Sequence, residues 1–162
     1  HDTQYGFPIE DDNELFERLV LEINQAGLSW TLMLKKRQAF QTAFERFDIN
    51  TVAAFDDTDR ERLLADAGIV RNRLKIDAAI FNARQIQALQ QEYGSFKNWL
   101  DAHHPRSKDE WVKLFKKHFK FVGSEIVGEF LMSTGYLKGA HAESCPVYRK
   151  TLKYHLKWLD AV

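Results

Sequence analysis

The chain carries a single cysteine, Cys145, with three prolines and eight glycines among its 162 residues. One cysteine excludes an internal disulfide framework and fits a reducing compartment, so a cytoplasmic location is expected. So few prolines and glycines leave little room for long loops or for the frequent tight turns of a sheet. No uninterrupted apolar run approaches the ~20 residues that span a bilayer, and no signal-peptide pattern leads the sequence. Acidic and basic residues balance at 23 each. No whole-molecule field therefore draws the protein to nucleic acid or membrane, and either would have to be held by local patches. The first residue is His1 rather than methionine, and a preceding segment is expected.

Twelve Phe and four Trp supply bulky core and pocket material. With no internal repeat, low-complexity tract or linker, the sequence is expected to form one all-α domain over 1–162, with no need of a partner chain. Helical periodicity predicts helices at 13–25, 31–47, 51–55, 58–67, 74–93, 96–100, 108–119, 124–133 and 148–159. Thr58 and Glu61 have the spacing of a capping box. Gly27, Gly68, Gly94, Gly123 and Gly135 fall where helices should stop. Residues 103–107, with Pro105, read as a surface turn.

The most informative stretch is Leu21-Glu22-Ile23-Asn24-Gln25-Ala26-Gly27-Leu28-Ser29-Trp30. On an ideal helix Leu15, Leu19, Ile23 and Ala26 share one arc, and Glu22 falls roughly 20° outside Leu15. A carboxylate at the edge of a buried stripe is costly unless something compensates it. Either Glu22 is a structural group paired to Arg18 four residues earlier, or it serves a ligand. Trp30 after the glycine break is either core or pocket wall.

A second feature is the helix–turn–helix around Gly68-Ile69-Val70-Arg71-Asn72-Arg73. A positive φ at Gly68 would end the first helix. The second helix would then open with free N–H groups beside Arg71, Arg73 and Lys75. Amide donors, a helix dipole and cations together make a phosphate site, which grips a DNA backbone without reading sequence. The alternative is an ordinary helix stop with solvated cations. Lys35-Lys36-Arg37 and Lys116-Lys117-His118 are further basic clusters.

These segments resemble, in order, those of the DNA-3-methyladenine glycosylase I family of the helix-hairpin-helix superfamily. They are His1-Asp2 with Tyr5-Gly6-Phe7-Pro8, then Leu21-Glu22 with Gln25–Trp30 (QAGLSW), then Leu34-Lys35-Lys36-Arg37. Asp66–Arg73 with Lys75-Ile76, Phe119–Gly123 (FKFVG), and His141 with Cys145 complete the set. Ile23 stands where that family usually has glycine.

The resemblance implies a base-excision repair enzyme acting on alkylated double-stranded DNA, and a helix-hairpin-helix glycosylase-like fold. The target base is taken out of the stack. A purine methylated at N3 carries a positive ring while still bound to the sugar, so it leaves readily and needs recognition more than a strong acid. Glu22 would accept a hydrogen bond from the exocyclic amine and oppose the charge, Trp30 would stack on the ring, and Tyr5 would form a wall. Gly68, Val70, Arg71, Arg73 and Lys75 would hold DNA. No residue is assigned as nucleophile, so water attacks directly and no lyase step follows. The resemblance also implies a structural zinc, at whose ligand positions this sequence has His1, His141 and Cys145; the fourth position, a cysteine ahead of His1, is not in it. The competing expectation is a non-catalytic helix-hairpin-helix DNA-binding module.

Overall fold

The computed structural model describes residues 6–25, 29–139 and 156–161. Among them there is no strand, and the elements are helices joined by short turns. They are α1 (Asp12–Gln25), α2 (Trp30–Ala43), α3 (Ile49–Ala53), α4 (Asp57–Leu64), α5 (Arg73–Tyr93), α6 (Phe96–His103), α7 (Lys108–His118) and α8 (Ser124–Ser133). Of the helix predicted at 148–159, residues up to 155 lie outside the described ones; Lys157–Ala161 form a 3-10 turn.

Local chemistry sets most of the ends. Ser29 opens α2 by accepting the Leu32 N–H at 3.1 Å, and Ser107 with Glu110 makes a reciprocal capping box on α7. Gly94 and Gly135 take φ of 89° and 86° after α5 and α8, as their positions predict. Three other expectations fail here, besides the helix stop at Gly68. The capping box of α4 is Asp56 with Asp59, not Thr58 with Glu61: each carboxylate accepts the other residue's N–H at 3.1 Å. Gly123 does not stop a helix but precedes α8 at φ −71°.

The predicted helix 31–47 also breaks early. Glu45, Arg46 and Phe47 turn left-handed, with φ of 52°, 56° and 57°. Such backbone costs roughly 1–2 kcal/mol per residue. Aromatic burial offsets it. Phe47 is fully buried, stacked on Phe44 at 5.6 Å and edge-on to Phe16 of α1 at 5.9 Å.

The long helix α5 runs through the core on Ile76, Ala79, Ile80, Ala83, Ile86 and Leu89. On one side lies an aromatic layer in which Phe96, Trp99, Phe115 and Phe119 meet at centroid distances of 5.4–6.0 Å. Asp12 knots three helices: its carboxylate accepts Gln90 Nε2 at 2.8 Å and the Phe96 and Lys97 N–H groups at 2.8 and 3.0 Å. At the end of α8, Gly6 donates its N–H to the Ser133 carbonyl at 2.7 Å, and Trp158 donates to Gly135 at 3.1 Å. Segments far apart in sequence thus meet at one helix end.

Candidate functional site

Two regions follow from this frame, one at the α1–α2 corner and one at the α4–α5 hairpin. At the corner, Leu15, Phe16, Leu19, Val20 and Ile23 turn α1 into the core, and Glu22 rides the edge of that stripe. It is 7% exposed. Burial, and secondarily the Glu129 carboxylate of α8, push the Glu22 carboxyl up to about 7, against the pull of Arg18. Arg18 donates from Nη1 to the Ser133 carbonyl at 3.4 Å. Among the described residues no hydrogen-bond donor engages the Glu22 carboxylate. The site therefore holds a carboxyl that a cationic ligand would ionise.

Ile23 is 2% exposed and belongs to the hydrophobic core. Its branched side chain is accommodated there, about 100° around the helix from Glu22. Helix α2 is fastened to α1 by Glu17, whose Oε1 accepts Arg37 Nε and Nη2, both at 2.9 Å, and Gln41 Nε2 at 3.3 Å. This clamp ties the second half of α2 to α1, one turn before Glu22. Trp30 is the first residue of α2; its side chain, like Tyr5, Gly27 and Leu28, lies outside the described residues. So do His1, His141 and Cys145. Among the described residues no cluster of His, Cys, Asp and Glu could hold a metal ion.

At the hairpin the structure corrects the role of Gly68. Helix α4 ends at Leu64, four residues earlier, and Gly68 does not have a positive φ. It is glycine for lack of space: a Cβ there would stand 2.8 Å from Ala39 Cβ of α2 and 3.1 Å from Asp66 Oδ1. Its N–H donates to Asp66 Oδ1 at 2.8 Å. Ile69 is buried beneath, and Arg60 Nε bonds Asp77 at 2.8 Å to tie α4 to α5.

The opening of α5 is also less free than the sequence suggests. The Asn72 side chain accepts the N–H groups of Leu74 at 3.0 Å and Lys75 at 3.2 Å. Among the described residues, no acceptor engages the N–H groups of Val70, Arg71 or Arg73. Arg71 and Arg73 are exposed and Lys75 half-buried, and Leu74 stands 66% exposed between them. The hairpin thus presents three amides, two guanidiniums and one apolar tip. An asparagine directly before a helix is an N-cap signal, so the role of Asn72 was open to sequence reasoning. Of the other basic clusters, Arg37 is bound to Glu17, whereas Lys116 and Lys117 are exposed at the end of α7.

Comparison with known proteins bears on what this arrangement is for. Residues 1–113 match the methyladenine glycosylase family. DNA-3-methyladenine glycosylase 1 of Escherichia coli (strain K12) is 38% identical, over 91% of this chain and 89% of its own. DNA-3-methyladenine glycosylase of Haemophilus influenzae is 31% identical, over 90% and 89%. A variant of 3-methyladenine DNA glycosylase I solved in complex with 3-methyladenine superposes at TM-score 0.82, with 32% identity over 91% of this chain and 89% of that one. The Staphylococcus aureus 3-methyladenine DNA glycosylase I gives 0.81 and 33%, over 91% and 88%. On sequence and on fold alike, this chain belongs to the methyladenine glycosylase family.

Proposed function

We propose that this chain is a DNA-3-methyladenine glycosylase, hydrolysing the N-glycosidic bond of 3-methyladenine in alkylated double-stranded DNA. The base is everted before cleavage, and no lyase step follows. The observation that carries the reading is Glu22, a carboxyl buried in the edge of an apolar helix and held up to about 7. A shift of that size from 4.5 corresponds to roughly 3 kcal/mol withheld from the ionised form. A cationic base entering beside it returns much of that energy, and neutral adenine does not. Selectivity for the N3-methylated ring thus arises from charge as well as shape.

In this reading Glu22 accepts the exocyclic amine proton and opposes the ring charge as the glycosidic bond lengthens. Trp30, opening α2, stacks on the base, and Tyr5 closes the pocket. Arg71, Arg73, Lys75 and the amides of Val70 and its neighbours hold phosphates, with Gly68 setting the hairpin close to α2. The leaving group is already charged, so water adds at the sugar carbon of an oxocarbenium-like state without a protein nucleophile.

The same reading takes the chain as one domain over 1–162, working as a monomer in the cytoplasm. The convergence of Gly6 and Trp158 on the end of α8 supports a single folding unit. No described helix is long and apolar enough to cross a membrane. His1, His141 and Cys145 offer two imidazoles and a thiolate, a donor set suited to zinc with one position left over. The Gly6 N–H bonds the Ser133 carbonyl, which supports a site shared between residues that flank these two in sequence. Zinc held there would cross-link the two segments and take no part in the hydrolysis. Metal analysis of purified protein is expected to find one zinc per chain, lost on His141→Ala; none would remove the zinc from the proposal.

The direct test is incubation with methylated duplex DNA, followed by chromatography of the released bases. Free 3-methyladenine is expected. Trp30→Ala should lower its rate of release by about 2–30-fold, the range of a cation–π contact of ~0.5–2 kcal/mol. DNA binding without any released base would favour the non-catalytic DNA-binding module instead.

A further inference from the structure

Between α7 and α8 the chain exposes a short tip that the proposed chemistry does not use. Phe119 and Val122 are both 4% exposed and anchor it in the core. Between them Lys120 and Phe121 face solvent, and Phe121 is 41% exposed with φ at 60°. A bulky non-glycine residue in the left-handed region persists only where its surroundings hold it there. Here the holder is Asn82 of α5, itself fully buried. Its Oδ1 accepts the Lys120 N–H at 2.8 Å and its Nδ2 donates to the Lys120 carbonyl at 3.1 Å. A buried amide is committed to pinning one residue of a surface turn, and the turn presents a phenyl ring to water.

The position of the tip says what it faces. Lys120 Nζ lies 4.2 Å from the centroid of the Phe81 ring on α5. Phe81 is seven residues beyond Leu74, so the two lie within about 20° on one helix face. It is eight residues beyond Arg73, about 12 Å along the axis. A strand rising ~3.4 Å per nucleotide covers that distance in three to four steps. The tip therefore stands beside the same α5 face that carries the hairpin's exposed Leu74, within reach of a strand gripped at Arg71 and Arg73. Lys116 and Lys117 are exposed in the last turn of α7 before it, and Glu125 is exposed in the first turn of α8 after it, so the cations lie on the α7 side of the tip.

We propose that the Lys120–Phe121 tip is a second DNA-contacting element of this chain. Phe121 lies against sugar and base edges of the duplex flanking the everted nucleotide, and Lys120 reaches a neighbouring phosphate. Aromatic faces paired with cations suit this surface because every nucleotide offers a π-face or sugar edge beside a phosphate. The proposal rests on the DNA-repair reading above and extends it to residues outside the base pocket and the hairpin.

Phe121→Gly tests it, because glycine takes φ near +60° without strain. A purely structural tip predicts an equal or higher melting temperature and unchanged affinity for a duplex carrying an abasic-site analogue. The proposal expects the melting temperature to hold or rise while that affinity falls about tenfold, within the range for a lost aromatic–base contact. Lys120→Ala, which leaves the backbone pinning intact, should lower the slope of log affinity against log salt by about 0.9, one phosphate. Wild-type affinity and slope in both variants, with wild-type protein binding the duplex and releasing base, overturns this proposal alone. Wild-type protein that neither binds nor releases base overturns the repair reading beneath it.

Discussion

Glu22→Gln is expected to yield a protein that is harder to melt at pH 8 and poor at excising methylated bases. The carboxyl of Glu22 is raised from 4.5 to about 7 by burial first and Glu129 second. Below pH 4.5 it is protonated in both folded and unfolded chains, and contributes no difference. Between 4.5 and 7 the unfolded chain ionises while the native carboxyl does not, so native stability falls as pH rises. Above 7 the whole penalty, roughly 3 kcal/mol, is in place. The glutamine variant escapes it. Its melting temperature should match that of the natural protein at pH 4 and exceed it by about 6–10 °C at pH 8. Excision should move the opposite way, because glutamine offers no charge to the cationic ring. The loss should be ten- to a hundredfold, as for a charge-assisted hydrogen bond of ~1.5–3 kcal/mol. In the natural protein excision should climb with pH through about 7 as the carboxylate forms. Melting curves that coincide at both pH values, or full excision by the variant, would remove Glu22 from the centre of the mechanism.

Gly68→Ala is expected to weaken the protein and its hold on DNA together. The added methyl would meet Ala39 Cβ at 2.8 Å, and neither atom belongs to a flexible side-chain end. Overpacking of this kind costs about 1–3 kcal/mol, several degrees of melting temperature. The hairpin can relieve the clash only by moving off α2, which carries Arg71, Arg73 and their amides out of register with the pocket. Affinity for duplex DNA should fall about tenfold or more, 1.4 kcal/mol for each factor of ten. Placing Ala39→Gly beside it restores the space, at about 1 kcal/mol for glycine inside a helix. The double variant should recover DNA binding although it stays less stable than the natural chain. Additive losses in DNA binding, rather than recovery, would mean that the contact between hairpin and α2 does not set the grip.

The all-helical fold was legible because period-3.6 patterning is strong in α1, α6 and α7 and no segment alternates like a strand. The burial of Glu22 was legible too, since its angle to Leu15 follows from counting residues. Gly68 was legible only as glycine. Its reason is a contact with Ala39, 29 residues away, and local pattern reads helix ends far better than close approaches between elements. The turn at 45–47 failed for a related cause. Nothing in Glu45-Arg46-Phe47 favours a left-handed backbone, and the reversal is imposed by the ring stack of Phe44 and Phe47 against Phe16. The cap of α4 slipped by two residues because a pair of aspartates competed with Thr58 and won as stronger acceptors. At the hairpin, Asn72 has the residue type and position of an N-cap, and its side chain occupies two amides that the cations alone would leave to phosphate.

The left-handed corner after α2 also marks where this scaffold leaves room for improvement by protein engineers. Glu45 and Arg46 are solvent-facing and sit in backbone that suits glycine or asparagine far better. Only Phe47 must keep its side chain. Two exchanges there would ease a stiff bend and add resilience to heat.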